Sequence, residues 1–113
     1  MANKWIYILL TTSLYLLAPN YAMANKPAVY NLEIKDGVFT PPFISVPAHQ
    51  RIKIIIKNTG TSPAEFENLS LIVEKTLGSG VQSFAIIPPL RPGTYKFIDE
   101  FHSNMNGFKI NAK

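Results

Sequence analysis

The clearest hydropathy pattern in the chain lies at 51–57, where Ile52, Ile54 and Ile56 alternate with Arg51, Lys53 and Lys57. A period of two lets one face of an extended strand bury while the other stays in water. The same alternation sets Tyr30, Leu32 and Ile34 against Asn31, Glu33 and Lys35, and it stops at Asp36-Gly37. Val38-Phe39 follows, then Pro41-Pro42, which cannot donate to a central ladder, and a short run at 43–46 closed by Pro47. Asn58-Thr59-Gly60-Thr61-Ser62-Pro63 is a turn cluster. Beyond it, 65–67 and 69–74 read as extended segments separated by Asn68, and 81–87 reads as a further strand. Pro92-Gly93 suits a type II turn ahead of a strand at 95–98, and 108–111 is the last strand. Seven or eight short strands at near-regular spacing, with hardly any helical period, predict an all-β fold: an antiparallel Greek-key β-sandwich.

The first 24 residues fall outside this pattern. Lys4 precedes a mostly apolar run at 5–18, followed by Pro19-Asn20 and the small-residue stretch Ala22-Met23-Ala24. This reads as a secretory signal peptide at 1–24, cleaved to leave a single domain at 25–113. The apolar run is 14 residues, whereas a membrane span needs about 20. No Cys follows it to carry a lipid anchor, so the expected product is soluble and periplasmic. Loss of Lys4 leaves ten Lys and Arg against seven Asp and Glu. The basic residues are spread along the chain with no interleaved aromatic patch, which argues against nucleic acid as a partner.

The complete lack of cysteine removes disulfide stapling, Cys-ligated zinc, iron–sulfur clusters and the ordinary blue-copper centre. With two His, no Gly-x-Ser-x-Gly and no Gly-rich phosphate loop, there is also no hydrolase constellation. His, Met and carboxylates remain as donors.

The run Pro92-Gly93-Thr94-Tyr95-Lys96-Phe97, continued by Asp99-Glu100-Phe101-His102 and Met105-Asn106-Gly107, resembles the C-terminal signature of cupredoxins. The resemblance puts Asp99 where that family carries the copper-binding Cys. It keeps His102 and Met105 at ligand positions and assigns structural roles to Gly93, Tyr95 and Gly107. Asn58-Thr59-Gly60 followed by Pro63-Ala64-Glu65-Phe66 is similar to the family's N-x-G and P-H-x-F, with Ala64 in place of the first His. Glu65-Phe66-Glu67, Glu74-Lys75 and Asp99-Glu100-Phe101-His102 further resemble the cupredoxin-like proteins found with bacterial iron-uptake systems. That resemblance implies a periplasmic protein that binds copper or iron. It would assist an inner-membrane iron permease by handling the metal's redox state, contributing to ferrous oxidation, or passing the metal on.

The residue types fit such chemistry. Imidazole and thioether at His102 and Met105 suit copper, with Met favouring Cu(I). Asp99, or Glu65 and Glu67 from a facing segment, would add hard oxygen donors for Cu(II) or iron. Glu65 and Glu67 are two apart and so share a strand face, and Asp99-Glu100 places two negative charges beside His102. His49, next to Pro47 in a turn, reads as a surface residue, and Tyr95 as a tyrosine corner tying a loop to another strand. A homodimer completing the site across its interface is compatible with the sequence. So is a metal-free interaction module that has lost the copper site.

Overall fold

Ile52, Ile54 and Ile56 are each at most 1% exposed, so the stripe that opens the hydropathy pattern is the floor of the core. The computed structural model describes residues 26–113, and the expected signal peptide at 1–24 lies outside them. Nine strands follow in order: β1 (Ala28–Lys35), β2 (Val38–Thr40), β3 (Phe43–Val46), β4 (Ile52–Asn58), β5 (Ala64–Asn68), β6 (Val73–Leu77), β7 (Gln82–Ile87), β8 (Gly93–Phe97) and β9 (Phe108–Ala112). They form a four-stranded sheet β2-β1-β4-β7, a three-stranded sheet β3-β9-β8 and a two-stranded ribbon β5-β6. Among the described residues no helix is long and apolar enough to cross a membrane.

The sandwich is as expected, with one difference in its wiring. The β1–β4 and β3–β9 pairings are parallel, so the sheets are mixed rather than wholly antiparallel. After β2 the chain leaves the first sheet for β3, then re-enters it through β4 with Ile52 beside Ala28, at the end where β1 began. Alternation along each strand carries no information about which neighbour it will meet. Pro41 and Pro42 lie in the bend between β2 and β3, outside both ladders, where no N–H is required of them.

Between the sheets Phe66 lies flat on Phe97, with ring centroids 4.4 Å apart and planes 7° from parallel. Phe108 tilts against both rings. Burying each such ring contributes about 1.5–3 kcal/mol by area. Buried Asn58 holds the following loop. Its Nδ2 donates to the Ser62 and Leu77 carbonyls at 2.8 and 3.0 Å, while its Oδ1 accepts from the Gly60 N–H at 2.9 Å.

Three local expectations need correction. The segment 69–74 is not continuously extended: Leu69–Leu71 forms a 3-10 turn capped by Asn68, whose Oδ1 accepts from the Leu71 N–H at 3.0 Å. A side-chain carbonyl within reach of a free backbone N–H competes with the ladder. Gly93 opens β8 at φ +155°, far from the roughly +80° that a type II turn requires of its third residue. The Tyr95 hydroxyl donates to the Arg91 carbonyl at 2.8 Å, so it pins the loop leading into its own strand rather than bridging to another. Gly107, at φ +72°, is required where it stands, because a Cβ there would lie 2.5 Å from the Phe97 carbonyl oxygen.

Candidate metal centre

The loop between β8 and β9 carries the predicted donors, and its first turn is fixed by a buried acid. Asp99 caps the 3-10 turn Glu100–His102, accepting a hydrogen bond from the Phe101 N–H at 3.0 Å. Its other oxygen lies 2.9 Å from Nδ1 of His102. The Asp99 side chain is 1% exposed, and a buried carboxylate needs such partners. On the far side of the ring, His102 Nε2 is 3.3 Å from the Ser62 hydroxyl.

That hydroxyl donates to Oδ1 of Asp36 at 3.1 Å, and the Thr61 N–H reaches the same oxygen at 3.0 Å. These bonds, the Thr61 amide first, hold the Asp36 carboxyl below the usual Asp range. A chain of contacts therefore runs Asp36, Ser62, His102, Asp99. The ring is held as second-sphere carboxylates hold ligand imidazoles, with Nδ1 on the carboxylate and Nε2 the nitrogen that a metal would have to win from Ser62.

Met105 meets His102 over Gly37, at the tip of the β1–β2 hairpin. A Cβ at Gly37 would lie 2.5 Å from His102 Cβ and 2.8 Å from Met105 Cγ. Both side chains thus close on the same glycine, with Met105 partly open to solvent. His49, by contrast, is exposed in its turn.

Glu65 and Glu67 come from β5, where they share the face opposite Phe66 and are both buried, at 5% and 4% exposure. A two-way backbone bridge between Glu67 and Ile98 draws β5 against the end of β8, and the 3-10 turn packs on it. The bridge brings up Glu100, so that carboxylate oxygens of Glu65, Glu67 and Glu100 all lie within 4.8 Å of one another. Burial first, and then the negative charge of Glu67, push the Glu65 carboxyl up to about 7. Burial and the charge of Glu100 also raise Glu67. Glu74, opposite Glu67 in the β5–β6 ladder, adds to the repulsion. Oε2 of Glu67 is buried without a hydrogen-bond partner.

The structure therefore sorts the five candidate ligands into two groups. His102, Met105 and Asp99 form one, and Glu65 and Glu67 join Glu100 in the other. In the sequence Glu100 stands only as a charge next to His102. Its place in the trio depends on the Glu67–Ile98 bridge, a contact between residues 31 apart with no signal in the local sequence. Ser62 and Asp36 likewise reach the His102 ring only through contacts distant in sequence.

Two packed sheets, with donor side chains on the loop before the last strand, define a cupredoxin-type sandwich. The chain belongs to the cupredoxin-like domain family, whose model it matches over residues 6–110. It is 31% identical over 116 residues to an uncharacterized protein of Rickettsia prowazekii (strain Madrid E), a match covering 96% of this chain and 93% of that one. Reduced auracyanin from Roseiflexus castenholzii superposes with a TM-score of 0.62 at 15% identity, over 76% of this chain and 97% of that one. The metal-binding domain of the Streptococcus pneumoniae Cu(I)-exporting P-type ATPase, solved with Cu(I), gives 0.66 at 13% identity, over 75% and 84%. At these identities the likeness to the solved structures is one of fold.

The residues do not fit a blue-copper centre. The chain has no Cys, both oxygens of Asp99 are already hydrogen-bonded, and buried Ala64 offers no donor atom. They do fit a cation with oxygen ligands, because a buried carboxylate oxygen lacking a partner sits among three carboxylates.

Proposed function

We propose that this chain binds a hard metal cation, iron or Cu(II), through Glu65, Glu67 and Glu100, and that it serves iron uptake as an exported carrier or redox helper beside an inner-membrane permease. The observation that carries the reading is the partnerless, buried Oε2 of Glu67 inside a cluster of three mutually repelling carboxylates. A cation supplies the missing partner and cancels the repulsion together. Carboxylates suit hard cations in general. The preference for iron or copper over manganese or calcium, the exported location and the permease rest on the family resemblance of Glu65-Phe66-Glu67 and Asp99-Glu100-Phe101-His102.

Within this reading Glu65 and Glu67 hold the cation from a rigid strand, and exposed Glu100 provides the entry side. His102 and Met105 form a softer copper corner, oriented by Asp99. Bound iron or copper would supply one-electron redox chemistry. A second reading, a metal-free interaction module, is favoured by Asp99 and Ala64 standing where the family carries copper ligands.

Calorimetric titration of chelator-stripped protein with Cu(II), and with Fe(II) under argon, tests the choice beside Mn(II) and Ca(II). Stoichiometric binding weakened at least tenfold by Glu67→Gln supports the carboxylate site. Weakening by His102→Ala alone moves the metal to the softer corner. Binding absent, or indifferent to both changes, leaves the interaction module.

A further inference from the structure

Lys96 and Lys109 face one another directly across the β8–β9 ladder, both on the solvent side of the three-stranded sheet. Like charges in opposite positions of an antiparallel pair are destabilising. Among the described residues neither lysine has a carboxylate within salt-bridge distance. Lys53 shows the contrast, since its ammonium lies over the Phe84 ring at 4.6 Å.

The two lysines open onto a groove of about 710 Å³ that no acidic side chain lines. Phe43, opposite Lys109 in the β3–β9 pairing and 57% exposed, forms an apolar wall. Asn111 accepts from the Thr94 hydroxyl through Oδ1 at 3.0 Å, a bond that leaves its Nδ2 donors unused. Asn106 and Met105 stand at the rim. Two ammonium groups, amide donors and a ring wall make a site that offers positive charge at one place and carbon contact beside it. The size falls within the roughly 300–1,000 Å³ of small-molecule pockets.

We propose that this groove binds a compact polycarboxylate of the di- or tricarboxylate chelator class, with Lys96 and Lys109 each taking a carboxylate and Phe43 covering the carbon skeleton. A phosphate ion matches the charge but leaves the ring and the length of the groove unused. Met105 belongs both to this groove and to the pair closing on Gly37, so a bound chelator lies beside the copper corner. Binding of the metal-free anion does not depend on the metal reading, and the two fail separately.

The test titrates citrate, and in parallel inorganic phosphate, into metal-stripped protein at fixed ionic strength, reading amide shifts and thermal midpoint. Citrate is expected to shift β8 and β9 amides saturably and to raise the midpoint by mass action. Lys96→Gln and Lys109→Gln each weaken this at least tenfold, whereas Lys53→Gln leaves it unchanged. In anion-free buffer the first two variants melt no lower than the parent, because each removes a like-charge contact. Absence of saturation, equal weakening by Lys53→Gln, or phosphate binding as tightly as citrate overturns the proposal.

Discussion

Gly37→Ala tests whether His102 and Met105 share one seat. The backbone there is left-handed at φ +86°, where a Cβ costs about 1–2 kcal/mol. The new methyl would also lie 2.5 Å from His102 Cβ, 2.8 Å from His102 Cγ and 2.8 Å from Met105 Cγ. None of these atoms is the loose end of a side chain, so the loop after β8 must shift, an overpacking cost of about 1–3 kcal/mol. Gly80 supplies the control. It has nearly the same conformation, φ +77°, with no atom within 4 Å of an added Cβ, so Gly80→Ala carries the conformational cost alone. For a domain of this size 1 kcal/mol is about 4–8 °C in thermal midpoint. Gly80→Ala should therefore melt on the order of 5–15 °C below the parent, and Gly37→Ala roughly 5–20 °C lower still. Circular dichroism melts of the three proteins give the comparison. Equal midpoints for the two variants would refute the packing of His102 and Met105 on Gly37, and with it the shared corner.

The carboxylate trio predicts an unusual pH dependence for metal-stripped protein. The Glu65 carboxyl rises from 4.5 to about 7 on folding, so the folded state holds the extra proton between these values. That contribution is complete below 4.5 and is lost as pH rises to about 7. Thermal midpoints should fall between pH 5 and 7.5. Glu65→Gln should flatten the slope, and a slope unchanged in that variant would remove the assignment to Glu65. Asn58→Ala strips three side-chain hydrogen bonds from a buried loop and leaves the Gly60 N–H without its side-chain partner, at about 1–3 kcal/mol. Urea unfolding should register a loss of at least about 2 kcal/mol, and a loss under about 0.5 kcal/mol would mean that water replaces the side chain.

What the sequence made legible follows from period. The β1, β3, β4, β7 and β9 strands announce themselves by alternation or by short apolar runs between turn residues; the buried faces of β1, β4 and β9 match that pattern, while β3 and β7 leave Phe43, Phe84 and Ile86 exposed. Pairing partners do not, which is why the two parallel ladders needed the structure. The site divides along the same line. His102, Met105 and Asp99 lie within seven residues and their motif spacing points to one another. Glu65 and Glu67 share a face by strand geometry, but the spacing alone does not show that this face is buried. The turn that covers it arrives from residue 100, through a bridge that only the folded chain creates.

Net charge is a poor guide to what this protein attracts, because its two signs are segregated. Of seven acidic residues, Asp36, Glu65, Glu67, Asp99 and Glu100 are gathered around the candidate metal centre, leaving Glu33 and Glu74 elsewhere, and Glu74 still adds to the field at Glu67. Eleven Lys and Arg leave the chain a formal charge of +4, and among the described residues Lys96 faces Lys109 while Lys53 and Lys75 meet over the Phe84 ring. A cation approaching the trio meets a local field opposite in sign to that of the whole molecule, and a cleft with low-dielectric walls strengthens the nearer charges over the distant ones. An anion meets the reverse at Lys96 and Lys109 on the outer face of the β3-β9-β8 sheet. Raising salt should therefore weaken citrate at the exposed lysines more than metal at the buried carboxylates, since screening acts on exposed charges first. Equal salt sensitivity of the two would mean that at least one of them is bound elsewhere than at the place assigned to it.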